Sequence, residues 1–123
     1  MTTLYLVRHG EVHNPEGIIY GRLPGYGLSE NGRRQLSAAA ELLAAEGAIV
    51  ALYSSPMQRA QESAAIIAAR LGLPVQTAEQ LLETSIGGYQ GKPFSALPRP
   101  YITEEPCHEG IECAASIRAR LLA

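Results

Sequence analysis

Between residues 3 and 76, three short apolar runs alternate with two longer stretches of helical periodicity. Thr3 to Val7 reads as a first strand. Ser29 is a cap that opens a helix with the apolar stripe Leu36, Ala39, Ala40, Leu43 and Ala44, and Gly47 stops it. Ile49 to Tyr53 is a second strand. In Ser54-Ser55-Pro56-Met57-Gln58, Ser55 can cap, Pro56 suits the first helical position and Gln58 completes a capping box. That helix continues through Ala64, Ile67 and Ala68 to Gly72, and Pro74 to Gln76 is a third strand. Strands separated by helices run parallel with the helices on the faces of the sheet, so the expected class is α/β.

The intervening segments are loops. Glu11 to Gly27 carries Asn14, Pro15, Gly17, Gly21, Pro24, Gly25 and Gly27, and loops this long in small domains usually serve a function or are disordered. Beyond residue 80, Leu81-Leu82-Glu83 leads into the glycine-rich 87–91. Pro93, Pro98, Pro100 and Pro106 keep the following stretch irregular, and Glu112 to Leu122 reads as a last helix. The 123 residues suffice for one domain, 1–123, with a single core. A net charge of −2 gives no reason to expect nucleic acid or an anionic membrane as a partner. No apolar stretch is long enough to span a membrane. The two cysteines, Cys107 and Cys113, lie together near the C-terminus and the rest of the chain has none, which fits a reducing cytoplasm.

The chemistry concentrates at Arg8-His9-Gly10-Glu11, directly after the first apolar run. Ligands in open α/β sheets bind at strand ends. A neutral imidazole beside a permanent cation can attack phosphorus, because the cation attracts phosphate and disfavours the protonated ring. The plainer alternative is a histidine that only hydrogen-bonds the loop, and these four residues leave both readings open. Arg59, in the first turn of the second helix, faces the same rim if the strands are parallel. Rival chemistries fail on composition. There is no aspartate for an aspartyl phosphatase, and the only lysine, Lys92, is outside any Walker motif. Neither cysteine has an arginine six positions later. His9 and His13 are four apart, but Gly10 disfavours the helix a zinc pair needs.

Leu6-Val7-Arg8-His9-Gly10-Glu11 resembles the signature of the histidine phosphatase (phosphoglycerate mutase-like) superfamily. Gly21-Arg22, Leu28 to Gln35, Ser54 to Ala60, and Leu81-Leu82-Glu83 with Gly87, Tyr89 and Gly91 resemble further motifs of that family, in its order. The resemblance implies a parallel-sheet, three-layer phosphoglycerate mutase-like fold. It implies that His9 attacks phosphorus to form a phosphohistidine, that Arg8 and Arg59 hold the phosphoryl oxygens, and that Glu83 protonates the leaving oxygen. Asn14, Gly21 and Arg22 are the implied substrate-loop residues. No metal or organic cofactor is implied, and the partner is a small phosphorylated substrate.

The sequence departs from the family pattern twice. Gln90 stands where a glutamate is common. The family also carries a second histidine on a later strand, inside the sheet between the strands read here as first and second. Residues 108–122 resemble only the helix that precedes that strand, so the expected fold is shortened at its C-terminal end. His13 and His108 are poorly placed as substitutes. A sheet lacking that strand exposes edges that invite pairing, including with a second copy in a homodimer. Two hypotheses follow: a phosphomonoesterase acting through phospho-His9, favoured over a mutase, and a non-catalytic phosphate-binding module on the same fold.

Overall fold

Ser29 opens the first helix as expected. Its Oγ accepts the Gly32 N–H at 3.0 Å, a cap worth about 1 kcal/mol. Helix α1 runs Glu30–Glu46, and Gly47 ends it with φ 76°, a left-handed value that a side chain would strain. Strand β1 is Leu52–Ser54, helix α2 is Gln58–Leu71, and strand β2 is Val75–Thr77. Single 3-10 turns at Glu79–Leu81, Gly87–Tyr89 and Phe94–Ala96 follow, and helix α3, Ala114–Leu122, comes last. These elements come from a computed structural model, which describes residues 1–96 and 111–123.

β1 and β2 pair in parallel, with Leu52 opposite Val75 and Ser54 opposite Thr77. α2 is the crossover between them and packs on both strands and on α1. Leu36 and Ala40 of α1 and Ile67 of α2 form the buried centre, with Leu43, Leu52, Ile66 and Leu71 around it. The α/β class with a parallel sheet is therefore present, and both helices lie where their apolar periodicity puts them.

Two expectations fail. The strand over Thr3–Val7 does not form. A strand exists through pairing, and no described segment bridges to residues 1–9. Leu4 and Leu6 are instead 78% and 88% exposed. The start of α2 is also later than the capping box implies. Met57 holds the cap position in an extended conformation without a side-chain cap. Ser55 Oγ accepts the Met57 N–H instead, and Gln58 reaches forward to Glu62. The helix thus opens two residues after Pro56.

Cys113, at the foot of α3, is buried and disulfide-bonded. Cys107 lies outside the described residues, as does His108. Disulfides are uncommon in reducing compartments, so Cys113 does not support the cytoplasmic expectation. Among the described residues, no helix is long and apolar enough to cross a membrane.

Candidate active site

Gly10 seats the histidine loop. A Cβ there would meet Leu36 Cδ2 at 2.5 Å and the Gly32 carbonyl oxygen at 2.6 Å, so only glycine lets the loop approach α1 this closely. Gly32 likewise has no room for a side chain against the Glu11 backbone. The Glu11 N–H donates to Gln35 Oε1, and the Glu11 carbonyl accepts the Ser29 N–H, both at 2.9 Å. From the other side, the Gly10 N–H donates to Ser63 Oγ at 3.1 Å, and that hydroxyl donates to the Arg59 carbonyl at 2.7 Å. Buried Ser63 thus ties the backbone beside His9 to the first turn of α2. Ser63 lies one helical turn after Arg59, a same-face spacing legible in the sequence.

His9 is half-buried, with Nδ1 2.7 Å from the Gly10 carbonyl oxygen. A carbonyl only accepts, so this contact assigns the neutral ring's proton to Nδ1 and leaves the lone pair on Nε2. The plainer expectation, a histidine bonded to its loop, and the nucleophilic one are therefore compatible.

Arg59 is 2% exposed. A buried guanidinium needs a counter-charge. Arg59 Nη2 meets Glu83 Oε2 at 2.8 Å, and its guanidinium carbon lies 4.7 Å from the centroid of the Tyr20 ring. Tyr20 in turn stacks on Tyr26, centroids 5.2 Å apart. The other oxygen of Glu83 accepts the Thr84 N–H at 2.7 Å. The carboxylate is partly exposed while its arginine is buried, so the pair has one face open to solvent.

The remaining predicted residues serve the loops. Asn14 closes its own turn: Nδ2 donates to the Ile18 carbonyl at 2.9 Å, and Oδ1 accepts the Ile18 N–H at 3.2 Å. Gly21 is buried at φ 48°, packed against Ile86 and Gln90. Gln90, the departure from the family pattern, accepts the Arg22 N–H at 2.8 Å. Arg22 Nε donates to the Glu83 carbonyl at 2.6 Å, and its Nη2 meets Glu112 Oε1 at 2.8 Å. Arg8 is exposed, and its guanidinium has no partner among the described residues. The structure therefore joins Arg59, Glu83 and Arg22, links His9 to them through Ser63, and leaves Arg8 apart.

Glu112 and Arg120, which the sequence marks only as part of a last helix, join the site. Arg120 Nε donates to Glu112 Oε2 at 3.0 Å, and its Nη1 donates to the carbonyls of Gln80 and Leu82. Burial alone would push the Glu112 carboxyl up. The hydrogen bond from Arg120, the Ser85 N–H, and the charges of Arg120 and Arg22 outweigh it and hold the carboxyl below its ordinary value. No short-range spacing marks this pair, since side chains that meet along a helix are three or four residues apart and Glu112 precedes α3. Among the described residues, no cluster of three or more metal-binding side chains occurs.

The histidine phosphatase superfamily (branch 1) model matches residues 4–121. The uncharacterized protein Rv0525 of Mycobacterium tuberculosis is 56% identical over 84 residues, covering 68% of this chain and 41% of that protein. Phosphoglycerate mutase-like protein 4 of Arabidopsis thaliana is 43% identical over 90 residues, covering 72% of this chain and 39% of its own length. Among solved structures, the mycobacterial glucosyl-3-phosphoglycerate phosphatase Rv2419c, in complex with VO3, superposes with a TM-score of 0.76 at 31% identity. That match covers 92% of this chain and 60% of the other. The chain thus spans about 40% of the length of these two relatives and 60% of that structure. Since that family model spans nearly the whole chain and the parallel α/β frame agrees with it, the chain belongs to the histidine phosphatase superfamily.

Proposed function

We propose that the protein is a phosphomonoesterase that works through phospho-His9 on a small phosphorylated metabolite. The observation that carries this reading is the contact of His9 Nδ1 with the Gly10 carbonyl at 2.7 Å, which engages one ring nitrogen with the loop and leaves Nε2 as the nitrogen available to attack phosphorus. In the first step Nε2 bonds to phosphorus as the P–O ester bond breaks, and Glu83 gives its proton to the leaving oxygen. In the second, Glu83 takes a proton from water as that water attacks phosphorus and the P–N bond breaks. Arg59 holds the phosphoryl oxygens, with a rigid fork already desolvated on the Tyr20 face. Arg8 adds charge from the solvent side. The route needs no metal or organic cofactor.

A mutase-type phosphotransfer is the lesser variant of the same chemistry. A non-catalytic phosphate-binding module is the second reading, and the exposed Leu4–Val7 run, which forms no strand pairing with any described segment, and solvent-facing Arg8 favour it. We further propose a single domain over 1–123, a homodimer formed along the open edge, and a cytoplasmic setting. The Cys113 disulfide tests the last of these: protein alkylated during lysis shows free thiols if the setting is reducing.

Hydrolysis of 4-nitrophenyl phosphate by the purified chain, with His9→Ala alongside, tests the main reading. Turnover that disappears in His9→Ala is expected, together with an acid-labile, base-stable label on the wild type from a radiolabelled phosphoester. Folded protein that binds phosphate yet shows no turnover above His9→Ala establishes the binding module instead.

A further inference from the structure

We propose that Glu112, acting through Arg22 and Ser85, is the residue that positions Glu83 for proton transfer. This rests on the reading of Glu83 as the acid. Glu83 sits in a stretch without regular structure, between the 3-10 turns at 79–81 and 87–89. Its neighbours in the chain therefore need external partners, and the Glu112 cluster supplies them. Glu112 Oε1 accepts the Ser85 N–H at 2.9 Å, and the Glu112 N–H donates to the Ser85 carbonyl at 3.0 Å. The same Oε1 holds Arg22 Nη2, which points Nε at the Glu83 carbonyl. Arg120, bound to both oxygens of Glu112, holds the Leu82 carbonyl at 2.7 Å.

Residues 82, 83 and 85 are thus each anchored by one carboxylate or by an arginine bound to it. None of these bonds touches the Glu83 carboxyl, whose oxygens remain on Arg59 and the Thr84 N–H. The cluster fixes the backbone and leaves the acid's own chemistry to the pocket. It also gives α3 a task, since that helix brings Arg120 and packs on the turn at 79–81. Arg22 is consequently held at both Nε and Nη2 by the protein.

Two readouts test this, one of them independent of turnover. In Glu112→Gln and Arg22→Met, amide hydrogen exchange at Ser85 should speed up on the order of ten- to a hundredfold, while amides in α1 and α2 keep their protection. In the same variants, kcat/KM for an alkyl phosphate, whose leaving oxygen needs the proton, should fall about tenfold or more beyond the fall for 4-nitrophenyl phosphate, whose leaving group hardly needs it. Glu112→Asp should recover part of that split. Unchanged exchange at Ser85, or equal losses on both esters, overturns the proposal. Should the wild type hydrolyse neither ester, the phosphatase reading fails, and the exchange result alone decides whether Glu112 holds this segment.

Discussion

Leu36, Ala40 and Ile67 on the two facing helices are 2–3% exposed, whereas Leu4, Leu6 and Val50 are 78–88% exposed, although all six are aliphatic. The first set lies where α1 and α2 supply each other's apolar surface. The second lies before the His9 loop and before β1, in segments that pair with no other described segment. Burial therefore follows from the neighbour and not from the residue type. The candidate site divides along the same line. Arg59 and Glu83 belong to the packed side, Arg8 to the open one, and His9 sits at the boundary, held by the Gly10 seat.

The largest expected effect is on the packed side. Leu36→Ala should cost about 3–5 kcal/mol in urea unfolding, since a fully enclosed leucine leaves a cavity that two helices cannot easily close. A loss below about 1.5 kcal/mol would show that the helix pair is nearly as loose as the open side.

The boundary comes next. Gly10→Ala should cost about 2–3 kcal/mol, because its methyl group meets the Gly32 backbone, which cannot swing aside as a flexible side chain would. Any residual phosphatase activity should fall more steeply than stability does, since the displaced residue adjoins His9. Unaltered activity in a destabilised Gly10→Ala would detach the seat from the site.

Legibility in the sequence follows the same divide. α1 is readable to the residue, Ser29 to Gly47, because its cap, stripe and stop are all local signals that agree. Arg59 is readable because it follows a strand and a turn. Thr3–Val7 misleads, since apolar character shows that a segment suits burial and says nothing of whether a neighbour covers it. The α2 start misleads because Ser55 bonds the Met57 N–H before any helix begins. Glu112 and Arg120 are invisible, as their partners at Arg22, Gln80, Leu82 and Ser85 come from distant parts of the chain and only the fold brings them together.

The smallest expected effect completes the comparison. Leu6→Ala should change stability by no more than about 0.5 kcal/mol, the range of ordinary surface positions. Leu6 is as large as Leu36 and sits two residues before Arg8, yet truncating it removes almost no buried contact. The measurement is urea unfolding at two protein concentrations about a hundredfold apart. A null effect at both means that this segment contributes nothing to the fold of the isolated chain. A loss above about 1 kcal/mol that appears only at the higher concentration means that a second copy covers Leu6, because stability gained by association rises with protomer concentration. In that case Arg8 becomes part of an ordered rim, and the open side of the site is completed between two chains.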